Sequence, residues 1–149
     1  MYVLDSNAFS ELNRHGQQKL IGRRVAAIDP ALIALTVITI EEALEGRLKQ
    51  IRNPENVNDM PEYYGYLLAT FNELKKYRIF PYTLDAEKIY WSIPKNVRDG
   101  RVHDCRIASI AVAFNQTVVT MNIKEDFSRI KEALSALKFE LKFEDWTIA

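Results

Sequence analysis

Tyr2-Val3-Leu4-Asp5-Ser6-Asn7 opens the chain with a short apolar run that ends on a carboxylate and passes at once into residues that start helices. A buried first strand that feeds directly into a helix is how open α/β sheets begin, and the carboxyl end of such a strand is where they place ligands and chemistry. Three further acids stand in similar settings. Glu42 comes just after Thr36-Val37-Ile38-Thr39-Ile40, Asp104 opens an apolar helical stretch, and Asp126 lies just past Val118-Val119-Thr120. Whether these four carboxylates converge on one sheet edge decides what the chain can do.

Working outward, Ala8, Phe9, Leu12, Leu20, Ile21, Val25 and Ile28 recur at helical spacing, with His15-Gly16 as a break and Asp29-Pro30 as a stop, which predicts two helices. Leu32-Ile33-Ala34-Leu35 is short, apolar and bounded, hence a strand, and Ile40, Leu44, Leu48 and Ile51 then line one face of a long helix. Residues 53–61 carry turn formers without periodicity and make the main loop; a helix follows from Tyr63 to Tyr77. Ile79-Phe80-Pro81-Tyr82 reads as a strand and Asp85 to Trp91 as a helix closed by Pro94. Ile107, Ile110, Ala111 and Phe114 line the next helix, Thr117-Val118-Val119-Thr120 make a strand, and strict apolar–charged alternation over residues 138–144 suits a half-exposed edge strand. Strands alternating with helices predict a three-layer α/β/α domain around a central, mainly parallel, short-stranded sheet.

At 149 residues the chain has the length of one domain, residues 1–149. Its 20 basic and 20 acidic side chains cancel, so any polyanion must be met by a local patch rather than a global field. One cysteine, Cys105, excludes an intrachain disulfide and falls in a helical pattern, where it reads as core. No leader pattern and no long apolar run occurs, so the expectation is a soluble cytoplasmic protein with no membrane partner.

Each acid also has a purely structural explanation. Asp5 can cap the first helix, although Ser6 and Asn7 can already do so; Thr39-Ile40-Glu41-Glu42 fits a capping box; Asp104 can cap a helix beginning at Cys105. Asn122 to Glu125 can form its own box, leaving Asp126 as a first-turn acid that suits the helix dipole. Capping does not, however, require that the acids follow separate strands of one sheet. Clustered carboxylates repel, by about 4 kcal/mol for two charges about 4 Å apart at an effective dielectric near 20. Mg²⁺ or Mn²⁺ would remove that repulsion, whereas zinc is disfavoured because His15 and His103 are far apart and the lone cysteine provides no ligand pair.

Taken in order, these segments resemble a PIN domain, and more closely a VapC-type toxin ribonuclease of bacterial toxin–antitoxin pairs. The resemblance is carried by Val3-Leu4-Asp5-Ser6-Asn7, by Glu42-Ala43-Leu44-Glu45-Gly46, by Asp104-Cys105-Arg106-Ile107-Ala108, by Val119-Thr120-Met121-Asn122 with Asp126-Phe127, and by Glu144-Asp145-Trp146 near the end. It selects Glu42 over Glu41, which periodicity does not. It also exposes a departure, because relatives commonly have one residue fewer between the Asn and the Asp-Phe pair. The fourth acid is therefore Asp126 in the first place, with Glu125 or a water held by Asn122 as alternatives.

The resemblance implies hydrolysis of phosphodiesters in single-stranded RNA with one or two Mg²⁺ or Mn²⁺ ions, leaving a 5′-phosphate and a 3′-hydroxyl. Asp5, Glu42, Asp104 and Asp126 would be the catalytic and metal-holding residues, with Ser6, Asn7 and Thr120 in support. Arg98, Arg101 and Arg106 bracket Asp104 and are candidate RNA contacts; His103 is a candidate proton relay or an ordinary surface residue. Tyr63, Tyr64, Tyr66 and Phe71 fit a core or partner groove better than base stacking. The related toxins imply a homodimer and an antitoxin whose C-terminal segment covers the helical arm and the active site. The alternative is a non-catalytic PIN-fold RNA-binding or adaptor protein. A phosphotransferase of the haloacid-dehalogenase kind is disfavoured because Asn7 stands where its second Asp belongs, and no Gly-x-x-x-x-Gly-Lys occurs among only 5 glycines.

Overall fold

The computed structural model describes residues 1–121 and 123–149. Five short parallel strands form one sheet: β1 (Tyr2–Leu4), β2 (Ile33–Thr36), β3 (Arg78–Phe80), β4 (Thr117–Val119) and β5 (Lys142–Glu144), in the order β3-β2-β1-β4-β5. Helices fill the connections: α1 (Ser6–His15) and α2 (Leu20–Ala26) after β1, α3 (Val37–Arg52) and α4 (Met60–Leu74) after β2, α5 (Leu84–Ser92), α6 (Lys95–Arg98) and α7 (Val102–Ala113) after β3, and α8 (Ser128–Ala136) after β4. The sheet is wholly parallel, as crossover helices require.

Alternation along the strands divides the core into two layers. Val3, Ala34 and Val118 face one way, toward α5, α7 and α8, where Ile89, Ile107, Ile110, Ile130 and Leu134 are buried. Leu4, Ile33, Leu35 and Val119 face the other way, toward Phe9, Ile21, Leu74 and Trp146. Trp146 closes this second layer against Tyr2, their ring centroids 4.8 Å apart. Buried strands with apolar residues on both faces are what a covered parallel sheet needs.

Several elements begin elsewhere than the sequence pattern predicts. The capping box at Thr39 predicts a helix that begins at Ile40, yet β2 ends at Thr36 and α3 starts at Val37. Thr36, not Thr39, is the cap: its Oγ1 accepts the Thr39 amide at 3.3 Å. Thr39 instead donates its hydroxyl to the Leu4 carbonyl at 3.5 Å, stitching α3 to the end of β1. Helix α7 starts at Val102, so Asp104 lies inside the first turn rather than at a cap. At the sheet edge only residues 142–144 pair, because the chain turns at Lys138 with φ 64° before it reaches β4. Cys105 is buried and unpaired in α7, and burial pushes its thiol up to about 12.

Candidate functional site

The strand order reverses at β1: β2 lies on one side of it and β4 on the other. In open parallel sheets the crevice at such a reversal, beyond the carboxyl ends of the strands, is the habitual ligand site. Asp5 sits at that point. Its amide continues the ladder to the Val119 carbonyl at 3.0 Å, and its side chain is 1 % exposed.

The two carboxylate oxygens of Asp5 have separate surroundings. Oδ1 accepts the Ala8 amide at 2.7 Å and so caps α1, a task the sequence assigned equally well to Ser6 or Asn7. Oδ2 is buried and, among the described residues, accepts no hydrogen bond. Burial pushes the Asp5 carboxyl up to about 6, and the Glu42 charge adds to the rise, while the neighbouring Thr120 side chain and the Ala8 amide oppose it. Ser6, released from capping, donates its hydroxyl to Glu42 Oε1 at 2.6 Å across 36 positions of sequence. That bond ties the start of α1 to the second turn of α3.

Glu42 is held from the other side as well. His103, at the start of α7, places Nδ1 3.4 Å from Glu42 Oε2 and Nε2 3.6 Å from Glu41 Oε2. Glu41 is 52 % exposed and Glu42 31 %, so Glu42 is the inward member of the pair. Asp104, one residue on from His103, is pushed up to about 6, first by burial and then by the charges of Asp5, Asp126 and Glu42, with His103 opposing. Four acids from four separate segments thus share one electrostatic field. The bracketing of Glu42 by Ser6 and His103 had no signal in the sequence, since both contacts exist only once the sheet is assembled.

Asp126 lies in a π-helical turn, Ile123–Phe127, that leads into α8. A π turn spends one more residue than an α turn, which would accommodate the additional residue that the resemblance implies for this segment. The Asp126 carboxylate is paired with Arg101, Nε to Oδ1 at 2.5 Å. Arg101 also donates to the Val97 carbonyl at 3.4 Å, so it fastens the π turn to α6. Glu125 is exposed, Asn7 is exposed on α1, and Asn122 lies outside the described residues. Thr120 is buried at the end of β4, its amide bonded to the Glu144 carbonyl at 3.0 Å. Of the other two arginines, Arg98 donates to the Ile93 carbonyl at 2.9 Å and covers the Trp91 ring at 4.5 Å. Arg106 lies over Tyr90 at 5.2 Å and Tyr82 at 5.8 Å.

An oxygen-only donor set with a buried, unbonded Asp5 Oδ2 and two carboxyls pushed up by burial and, to a smaller degree, by neighbouring acids suits a hard divalent cation, whose charge would lower both. As the side chains stand, no three His, Cys, Asp or Glu among the described residues are close enough together to hold one. His103 holds Glu42 Oε2 and Arg101 holds Asp126 Oδ1 in ion pairs that a cation would have to replace. Binding would therefore involve side-chain rotation, not refolding. Among the described residues no helix is long and apolar enough to cross a membrane.

No protein-family model and no curated protein matches this sequence. Solved structures do match the fold along nearly its full length. DNA-bound VapBC from Salmonella typhimurium has a chain with a TM-score of 0.71 and 21% identity, with 97% of each chain covered. VapBC2 from Rickettsia felis, bound to a DNA fragment from its promoter, gives 0.69 and 23%, covering 97% of this chain and 98% of the other. VapBC-1 from nontypeable Haemophilus influenzae gives 0.69 and 22%, covering 99% and 98%. At these identities the likeness is one of fold, and it agrees with the PIN-like α/β/α architecture expected from the sequence.

Proposed function

We propose that this chain is a Mg²⁺- or Mn²⁺-dependent endoribonuclease that cuts single-stranded regions of RNA, acting as the toxin of a toxin–antitoxin pair. The observation that carries the reading is the convergence at Asp104, whose carboxyl is raised first by burial and then by the charges of Asp5, Asp126 and Glu42 at the reversal point of the sheet. Purely structural caps have no reason to crowd one another in this way. Asp5 through Oδ2, Glu42 and Asp104 would hold the cation, with Asp126 joining directly or through water. When bound, the cation would supply charge stabilisation on the phosphate and a more acidic water. Ser6 would orient Glu42, and Thr120 would steady Asp5 in its ionised form.

An antitoxin segment has an apolar seat on the helical arm, where Leu44, Tyr64, Leu67, Leu68 and Phe71 line a shallow depression of about 410 Å³ between α3 and α4. Tyr64, Leu68 and Phe71 are each more than half exposed there, more apolar surface than a solvated helix needs. The VapBC complexes of similar fold support such a partner, and a homodimer belongs to the same proposal. The non-catalytic adaptor reading draws on the side chains not closing on a metal as they stand.

The deciding experiment is incubation of total cellular RNA with wild type, Asp5→Asn and Asp104→Asn in Mg²⁺ or Mn²⁺. Cleavage by the wild type alone, leaving 5′-phosphates, is the expected result; equal cleavage by all three, with contaminating nuclease excluded, sinks the assignment. Sequencing the cut ends identifies the RNA target. A short reading frame beside the gene whose product co-purifies with this chain is the expected sign of the antitoxin.

A further inference from the structure

Three neighbouring depressions that share lining residues lie along the surface beside Glu42 and together form a trough. A cleft of about 520 Å³ between α1 and the α3–α4 arm begins at Glu42 and is lined by Arg14, Arg47, Gly46 and Gln50 among others. At one end it meets a second depression of about 350 Å³ through the shared Ser10 and Arg14. At the other it meets a third, of about 330 Å³, through the shared Gly46 and Gln50, which adds Lys49 and Tyr63. From Glu42 to Gln50 the trough follows α3 for about 12 Å.

Its cations are placed differently from those around Asp104. Arg14 is exposed on the last turn of α1 and, among the described residues, makes no hydrogen bond or ion pair. Arg47 is pre-set: Nε donates to Thr70 Oγ1 at 3.0 Å, one amino group donates to Gln50 Oε1 at 3.3 Å, and the guanidinium covers the Tyr66 ring at 5.3 Å. Lys49 is exposed one turn further on. Of the acids that line the trough, Glu11 faces His15 at 3.8 Å and Glu55 stands only at the far mouth. In a chain with a formal net charge of +0, three cations along one trough that starts at the acid cluster are a local patch of the kind a polyanion needs. Gly46 keeps the floor low: a Cβ there would meet nothing within 4 Å, so a larger side chain would project into the trough rather than into the core.

We propose that this trough is the path of the single-stranded RNA substrate, with Arg14 on α1 and Arg47 on α3 holding backbone phosphates from the two walls and Gly46 leaving room for the strand between them. Cations tracking a backbone, amides from Gln50 and an aromatic at Tyr63 are the standard means of holding a single strand. The path rests on the nuclease reading for the nature of its ligand. It makes Arg14 and Arg47, rather than the arginines beside Asp104, the main phosphate contacts.

The test is binding of a fluorescein-labelled single-stranded RNA 15-mer of mixed sequence, followed by anisotropy in a chelator so that nothing is cut, as a function of salt. Arg14→Gln and Arg47→Gln should each weaken binding severalfold and reduce the slope of log affinity against log salt by about 0.7, the single-strand value per phosphate contact. Gly46→Leu should weaken binding about tenfold without lowering the melting temperature, and Arg129→Gln, exposed on α8, should change nothing. Trough variants that bind within about twofold of wild type overturn the path and leave the trough to a protein segment. If the wild type also cuts RNA, the nuclease reading survives that failure. Conversely, if the wild type binds the 15-mer through these residues but never cuts, the path stands and the nuclease reading falls.

Discussion

Asp5 divides its two oxygens between structure and chemistry, and the division can be measured. Oδ1 caps α1 while Oδ2 stays buried and unbonded among the described residues, and the carboxyl titrates at about 6 in the folded chain instead of the ordinary 3.8. Between those values the folded protein keeps a proton that the unfolded chain has released. Stability of the metal-free protein therefore falls as pH rises through that window, and the loss is complete above it. Asn caps as well as Asp and carries no charge. Asp5→Asn should therefore stabilise the metal-free protein at pH 7 by on the order of 2 kcal/mol and give no gain below pH 4 or so, read by thermal unfolding across pH. An unchanged melting temperature at pH 7 would mean that Asp5 is not strained by its charge. Ser6 offers a second reading at this scale. Because its hydroxyl fixes Glu42 at 2.6 Å, Ser6→Ala should raise the Mg²⁺ concentration needed for half-maximal cleavage by about tenfold while leaving the fold intact. The acids themselves were legible because each stands by a short apolar run. Their partners were not, since Ser6–Glu42, His103–Glu42 and Arg101–Asp126 join residues that only the assembled sheet brings together.

Element boundaries were legible where side-chain chemistry is local and illegible where it is shared. The break at His15-Gly16 is real because Gly16 takes φ 52°, ψ −137°, a conformation that suits glycine. What the sequence does not disclose is that α2 folds back onto this turn: a Cβ on Gly22 would lie 1.8 Å from the Gly16 carbonyl oxygen and 2.3 Å from its carbon. Backbone cannot step aside as a flexible side chain can. Gly22→Ala should thus destabilise by on the order of 3 kcal/mol, whereas Gly46→Ala, with open space around its Cβ inside α3, should stabilise by about 1 kcal/mol. Chemical denaturation of the two variants side by side checks both signs, and equal effects would show that glycine loss alone, not the contact, matters. The same distinction explains the misplaced start of α3. Val37-Ile38-Thr39-Ile40 has strand propensity, but Thr36 caps a helix there and Thr39 bonds back to the Leu4 carbonyl. Local preference loses to packing.

At the scale of the whole molecule the site exists because the sheet is parallel and reverses its order at β1. Asp5 leaves β1, the α3 carrying Glu42 leaves β2, the π turn carrying Asp126 follows β4, and α7 brings Asp104 to the same edge. No single segment holds a cation; the four together concentrate negative charge in one place. A ligand that binds only this assembled state must stabilise it, by about 2.7 kcal/mol when present at 100 times its dissociation constant. Mg²⁺ or Mn²⁺ should accordingly raise the melting temperature of the wild type at pH 7.5, and Asp5→Asn or Asp104→Asn should abolish the rise. Since ligation needs ionised carboxylates and both Asp5 and Asp104 titrate at about 6, the rise should fade as pH drops through that value. The metal-free baseline moves the opposite way, gaining stability over the same interval, so the two curves should approach one another near pH 5. A thermal-shift series in chelator and in millimolar Mg²⁺ or Mn²⁺ decides the matter without any RNA present. Parallel curves from pH 5 to 8 would leave the four acids as a strained electrostatic cluster with no cation to relieve it.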